Sequence, residues 1–342
     1  MSINKYLFTR ITNITAKVIC DSISEHGFRI TTFELEYPRF IHSEFMTHRE
    51  LSKNSSSSRA IPFAKMIENI ENNMAKPVHW GKNRSGMQAS NEEVERYVAE
   101  EAWDNAARSA IVSARKLSVE GIGLHKQIAN RVTEPFSMIK VVMTTTSLDN
   151  LFNLRLDKDA QPEFVVLAKE MYEAFNKSNP KVLKAGQYHL PYVETIEVTG
   201  SNIIGNNDNQ QHYFMPDGTG EVYLEDAIKI SVASCAAVSY RTEGMTLEKA
   251  DKIYDMLINA EVVHSSPFEH IATPIDKPCC AEGKQIDYET ALERLEYEKG
   301  ITHINKNLVF CSGNFTGWIQ YRHLLDNNTC NNFDYNNRMK SF

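Results

Sequence analysis

Residues 30–62 read ITTFELEYPRFIHSEFMTHRELSKNSSSSRAIP. From Ile30 to Tyr37, apolar and polar side chains alternate, the period of a half-buried strand. Pro38 interrupts the run, which suits an edge or a bend. Phe40 to Met46 follows, and Thr47 to Arg59 is predicted as a polar loop. That loop places Arg49 and Arg59 on either side of a run of small hydroxyl residues. Backbone N–H groups and hydroxyls in such a run can donate to a phosphate, and guanidinium groups bind it bidentately without losing their charge. On composition alone, a solvated serine-rich loop is the commoner outcome.

Working outward, Ser90 followed by Glu93 is a capping-box signature. Val94, Val98, Ala102 and Ala106 recur behind it at helical spacing, predicting a long helix to about Ser118 that Gly121 and Gly123 end. A second helix is predicted from Ile122 or Leu124 toward Arg131, before Pro135. A third runs from Pro162 to about Phe175. Residues 197–220 are rich in Gly and Asn and read as a linker or loop between two parts, 1–196 and 221–326. In the second part, Leu247, Ala250, Ile253, Tyr254, Leu257 and Ile258 mark an amphipathic helix. Residues 327–342 form a polar, Asn-rich tail.

The chain has 342 residues, 42% of them apolar and 24% charged, which is globular composition. No run of about eighteen apolar residues suggests a membrane span, and the polar N-terminus lacks a signal-peptide core. The expected location is the cytoplasm. The net charge of −7 argues against a nucleic-acid binder, so an anionic ligand must be held by local arginines. The six cysteines fit no zinc pattern and are expected as reduced thiols, with no metal site.

Two further stretches carry candidate chemistry. In DNLFNLRLDKDAQPE (149–163), Asn150 and Arg155 lie one or two helical turns apart, although an Arg among leucines is often only a structural ion pair. In HSSPFEH (264–270), a Glu and two histidines flank a Pro. This suits acid–base work, but equally a helix end followed by a turn. A Walker A loop and a GxGxxG run are both absent from the sequence.

Together these stretches resemble the flavin-dependent thymidylate synthase (ThyX) family. Its signature runs Arg-His-Arg, two residues, Ser, one residue, Asn, two residues, Ser, one residue, Arg, and His48, Arg49, Ser52, Asn54, Ser57 and Arg59 match it in register. Leu154-Arg155, Ala160-Gln161 and Glu163 match the family's LR-x-x-x-x-AQ-x-E pattern, and Arg131 resembles the arginine preceding it. HSSPFEH resembles the family's H-x-(S/T)-PFEH motif, and Ala237-Val-Ser239-Tyr240 its A-R-V-S-(Y/F) start. Both lie downstream here rather than upstream, so the order looks permuted. SGNFTGWIQYRHLL (312–325) resembles the strand entering the signature, as a degenerate second copy would.

The resemblance implies an α+β fold, an antiparallel sheet with packed helices plus a helical segment. It implies reductive methylation of dUMP to dTMP, with FAD as cofactor and NADPH and methylenetetrahydrofolate as co-substrates. By resemblance, Ser57, Ser58, Arg59, Arg131 and Arg155 contact dUMP, with Arg155, Arg59 and Ser57 as the catalytic set. His48, Arg49, Asn150, Ser239, Ser266 and Glu269 line the FAD site. The resemblance also implies a homo-oligomer, a tetramer or, for this longer chain, a dimer. Partners beyond dUMP and folate are not expected, with neither nucleic acid nor membrane involved. Four positions depart from the family: Thr47 replaces the first Arg of the signature, Glu44 a Gln, Ala60 a Tyr and Ala237 an Arg. Arg322 is a candidate to supply the cation missing at Thr47. The alternatives are a flavin enzyme making another C5-modified pyrimidine nucleotide, and a non-catalytic nucleotide- or flavin-binding relative.

Overall fold

The computed structural model describes residues 13–198, 210–216, 218, 220–238, 244–260, 263–278, 288–330 and 333. It is an α+β protein whose chain divides into two compact units. One comprises 1–23, 29–182 and 237–244, and the other 24–28, 183–236 and 245–342.

The first unit is organised by the alternating run of the sequence. Strand β1 (Thr15–Ser24) pairs antiparallel with β2 (Arg29–Pro38), which ends at Pro38 and passes through a 3-10 turn (Arg39–Ile41) into the short helix α1 (His42–Phe45). Strand β3 (Ser52–Ser55), helices α2 (Phe63–Asn72), α3 (Arg96–Leu117) and α4 (Lys126–Ala129), a 3-10 segment (Asn130–Phe136) and strand β4 (Met138–Thr145) follow. Helices α5 (Asp149–Arg155) and α6 (Pro162–Lys177) and strand β5 (Lys181–Leu183) complete the series. The sheet order is β3-β4-β2-β1-β5, so β2 is an inner strand with Pro38 only at its end. Phe33, Leu35 and Tyr37 of β2 pack with Ile139, Val141 and Met143 of β4 beneath Phe45, Phe164, Leu167 and Met171. A second cluster joins α2, α3 and α4 through Met66, Ile67, Ile70, Ile111, Ala114 and Ala129.

Four expectations are corrected here. The predicted polar loop contains an edge strand, because Ser52–Ser55 pair with Thr144–Val141 in register. The capping box at Ser90 does not form. The Ser90 hydroxyl accepts from Glu92 N, the Glu93 carboxylate accepts from Trp80 N, and Gly81 bridges Glu93, so α3 starts only at Arg96. The predicted stripe is also not the packed one. Val94 and Val98 are exposed, and α3 buries Ala107, Ile111 and Ala114 instead. The second predicted helix starts at Lys126 and tightens to 3-10 geometry through Pro135, which has no N–H to continue an α-helix.

The second unit holds a hairpin of β6 (Glu194–Val198) and β7 (Gln210–Phe214), extended by β8 (Glu221–Val222). These strands occupy the ends of the stretch read as a linker; residues 199–209 lie outside the described set. Helices α7 (Leu224–Ala236) and α8 (Leu247–Ile258) follow, then a 3-10 turn (Ser266–His270) and β9 (Ala272–Pro274). Helix α9 (Tyr288–Tyr297) precedes β10 (His303–Ile304), β11 (Phe310–Ser312), β12 (Phe315–Thr316) and β13 (Trp318–Gln320). Strand β13 pairs with β9 and leads into a 3-10 turn (Tyr321–Leu324), as β2 leads into Arg39–Ile41. Among the described residues, no helix is long and apolar enough to cross a membrane.

Glu163, a motif residue, is structural in this arrangement. It is buried at the start of α6 and accepts from Val78 N at 2.8 Å and from Gln161 Nε2 at 3.2 Å. Glu163→Ala leaves that N–H without its acceptor and is expected to cost ~1–3 kcal/mol. A urea midpoint equal to the parent's, with unchanged amide exchange at Val78, would reject this role.

Candidate functional site

The predicted residues of the first unit fall into two groups, one spent internally and one left free. Arg155, at the end of α5, belongs to the first. Its Nε donates to His48 Nε2 at 2.8 Å, its Nη1 pairs with the Glu44 carboxylate, and its guanidinium lies 4.5 Å from the Phe164 ring centre. His48 packs against the same ring, with centroids 5.6 Å apart. Burial first, then the charges of Arg155 and Lys53, press the His48 pKa down to about 4. The imidazole is therefore neutral at pH 7, with Nε2 as the acceptor and the proton on Nδ1. Lys53 turns its ammonium onto the carbonyls of Phe45, Met46 and His48.

The turn carrying Ser57, Ser58 and Arg59 is held from many sides. Ser56 N donates to Lys140 O at 2.9 Å, and Arg39 Nη2 donates to Ser56 O at 3.2 Å. The Ser58 hydroxyl donates to Glu134, and Lys126 Nζ reaches Ala60 O at 2.9 Å. Fully buried Asn130 donates through its amide to Ser58 O at 2.7 Å and Ile61 O at 3.0 Å. Asn130 thus ties this turn to the segment bearing its neighbour Arg131. None of these tethers uses the backbone N–H of Ser57, Ser58 or Arg59, and among the described residues these three groups donate to nothing.

Arg49, Arg59 and Arg131 are exposed, and their guanidinium groups make no ion pair or hydrogen bond among the described residues. Asn150 is likewise exposed, on the first turn of α5. Asn54, a signature residue on β3, has a buried Oδ1 with no partner among the described residues. A turn fixed by six hydrogen bonds that leaves three N–H groups free offers donors to a small anion.

The remaining predicted residues belong elsewhere. Ser239 lies outside the described residues. Ser266 is exposed on the 3-10 turn of the second unit. Glu269, on the same turn, pairs through its carboxylate with Arg322 Nη1, and Arg322 Nη2 donates to Asn328 O at 3.3 Å. Arg322, the candidate replacement for the missing signature cation, is therefore already neutralised within its own unit. Thr47, which stands where the family has that cation, donates its hydroxyl to Glu44 O at 2.7 Å. Sequence reading noted Glu44 only as a departure and missed Asn130, Glu134 and Phe164. The signal available was their closeness in sequence to Arg131 and Glu163.

Fold and site together define an α+β unit with a hydrogen-bonded turn that bears free N–H groups and an exposed arginine. Residues 20–181 match the family model described as thymidylate synthase complementing protein, so the resemblance read from the motifs holds over that stretch. Among solved structures, the chain is similar to the UMP/dUMP methylase PolB from Streptomyces cacaoi bound with 5-Br dUMP. The two are 17% identical over 49% of this chain and 91% of that one, with a TM-score of 0.39. It is also similar to thymidylate synthase X (ThyX) from Helicobacter pylori with FAD and dUMP. There the identity is 19% over 43% of this chain and 67% of that one, with a TM-score of 0.30. No curated protein matches the chain.

The state of His48 gives a stability signature. Its ordinary value is 6.5, and in the fold it is held near 4. Between those values the unfolded chain binds a proton here and the folded chain does not. Its contribution is therefore fully present above pH 6.5 and is lost as pH falls toward 4, by up to ~3 kcal/mol. His42, held near 4, and His270, held near 3, add slopes of the same sign. His48→Gln keeps an acceptor for Arg155 and should flatten the fall in urea-derived stability between pH 6.5 and 4. An identical slope in the variant would show that His48 is not buried in its neutral form.

Proposed function

We propose that this protein is a flavin-dependent enzyme that modifies C5 of a uridine 5′-monophosphate, with reductive methylation of dUMP to dTMP as its reaction. The observation that carries the reading is the pair of free guanidinium groups of Arg59 and Arg131 on segments tied together through Asn130, with exposed Arg49 free as well, at positions that match the family's motifs. Arg59, Arg131, the Ser57 hydroxyl and the N–H groups of Ser57 to Arg59 bind the phosphate and sugar of dUMP. Arg155 reaches the uracil, where its clamped guanidinium orients the ring and faces charge developing on it.

The residues present fit FAD in part. Exposed Arg49 suits a pyrophosphate, exposed Asn150 offers an amide, and the orphaned acceptor of Asn54 calls for an N–H donor. His48 supports the site from below, because its acceptor nitrogen is taken by Arg155. When bound, the flavin supplies the reducing equivalents for one-carbon transfer, drawn from NADPH, with methylenetetrahydrofolate giving the carbon. The protein's own contribution is to bind, orient and polarise. Assembly as a homo-oligomer, and a second part over 221–326 carrying the HSSPFEH motif in permuted order, belong to the same proposal.

The departures at Glu44, Thr47 and Ala60 favour, as a second reading, a flavin enzyme with another C5-modified pyrimidine product. Purified protein should show flavin absorbance after reconstitution with FAD, and should form dTMP when given dUMP, NADPH and methylenetetrahydrofolate. Consumption of dUMP to a different product moves the assignment to the second reading, and failure to hold flavin removes both. Arg59→Ala and Arg131→Ala should each weaken dUMP binding by calorimetry about tenfold to a hundredfold, the scale of a lost charge-assisted hydrogen bond.

A further inference from the structure

We propose that the exposed face of α3 is an interface with a second copy of this chain, the two α3 helices packing antiparallel about a two-fold axis at Asn105. This assigns a face and an arrangement to the homo-oligomer proposed above, and it rests on that reading only for the expectation of an oligomer. Nucleotide and flavin play no part in it.

Helix α3 turns Ala107, Ile111 and Ala114 inward. On the opposite side, Val98, Asn105, Val112 and Lys116 fall close to one line along the helix at about 100° per residue. Glu101 and Arg108 flank that line on one side, Ala102 and Ser109 on the other. All eight are exposed. Glu101 and Lys116 have no ion pair among the described residues, and Arg108 donates to Asn105 Oδ1 at 3.3 Å. Valines on this face gain by leaving water, which supplies a driving force for burial. The pattern is also self-complementary. With a two-fold axis at Asn105, a residue before it on one helix meets the residue equally far after it on the other. Val98 then packs on Val112 of the second copy, and Ala102 comes beside Ser109, small against small, so that the axes can approach to about 8–10 Å. On the other flank Glu101 comes beside Arg108, and exposed Glu95, just ahead of the helix, comes beside Lys116. Each contact occurs twice by symmetry. A parallel pair in register would instead set Glu101 against Glu101 and Arg108 against Arg108, so charge selects the antiparallel arrangement. Within one helix, seven residues put Glu101 and Arg108 roughly 10 Å apart along the axis, so they do not pair with each other there.

Sedimentation equilibrium of the full-length protein should give a multiple of the chain mass. Glu101→Arg and Arg108→Glu should each weaken that association at least about tenfold, since each turns two attractive contacts into two repulsive ones. Glu101→Arg combined with Arg108→Glu should restore it, a recovery that loss of folding would not give. Independently, Asn105→Cys in a Cys330→Ser background, which removes the exposed thiol, should be trapped as a disulfide-linked dimer under mild oxidation. Val98→Cys in the same background should not, because the two-fold axis sets its copies roughly 20 Å apart. A native chain that is monomeric throughout the concentration range overturns the inference. So do single reversals that leave the association unchanged, a combined exchange that does not recover it, and cross-linking at Val98 as strong as at Asn105. Flavin binding and dTMP formation by a protein that fails these tests leave the uridylate reading standing, so the two failures are told apart.

Discussion

The contact on which the first unit turns is the clamp around Arg155. It joins residues 107 and 111 positions apart in sequence, linking α1 and the turn after it to the end of α5 and the first turn of α6. Phe164 lies beneath both His48 and Arg155 and is itself in the main core with Phe45. The polar layer of the site is therefore set directly on packed aromatic rings. Small displacements there are opposed by the density of the core below. A cation carried on such a platform contributes orientation, and its charge is modulated by whatever shares its edge.

The three other arginines follow the opposite plan. The chain around Arg59 and Arg131 is immobilised through main-chain carbonyls and the amide of Asn130, and the guanidinium groups are left without protein partners among the described residues. Rigidity is supplied by main-chain bonds, the Asn130 amide and charged side chains already spent on the turn (Arg39, Lys126, Glu134), and free charge by Arg59 and Arg131. A protein carboxylate paired with either arginine would have to be displaced before a phosphate could bind. A flexible turn would lose conformational entropy on binding. The observed arrangement avoids both costs.

What the sequence made legible follows the range of the interactions involved. Helix α6 was readable because Pro162 at its first turn and its apolar spacing are local signals. Strand β2 was readable from its alternation, and α8 from its amphipathic stripe. Strand β3 was not, since SKNS has no apolar period and its pairing comes from β4, almost ninety residues onward. The face of α3 was misread because Val94 and Val98 have helical spacing, while burial is decided by where α2 and the 3-10 segment lie. Within the first unit, the motif spacing singled out arginines that have no protein partner among the described residues. It could not show that Arg155 is shared with Glu44, or that His48 is used from below, because both depend on distant partners.

The net charge of −7 gives this division its consequence. The field of the whole protein does not draw anions in. Beyond roughly 8 Å at physiological ionic strength it is screened in any case, so capture depends on the charges within that distance. On the segments tied together by Asn130, the guanidinium groups of Arg59 and Arg131 have no protein partner among the described residues. In the proposed reading, affinity for a phosphate is set by Arg59 and Arg131, while Arg155, clamped by His48 and Glu44, orients the ring. Separating the two tasks lets the strong, unselective attraction for a phosphate coexist with a weaker contact that distinguishes one ring from another.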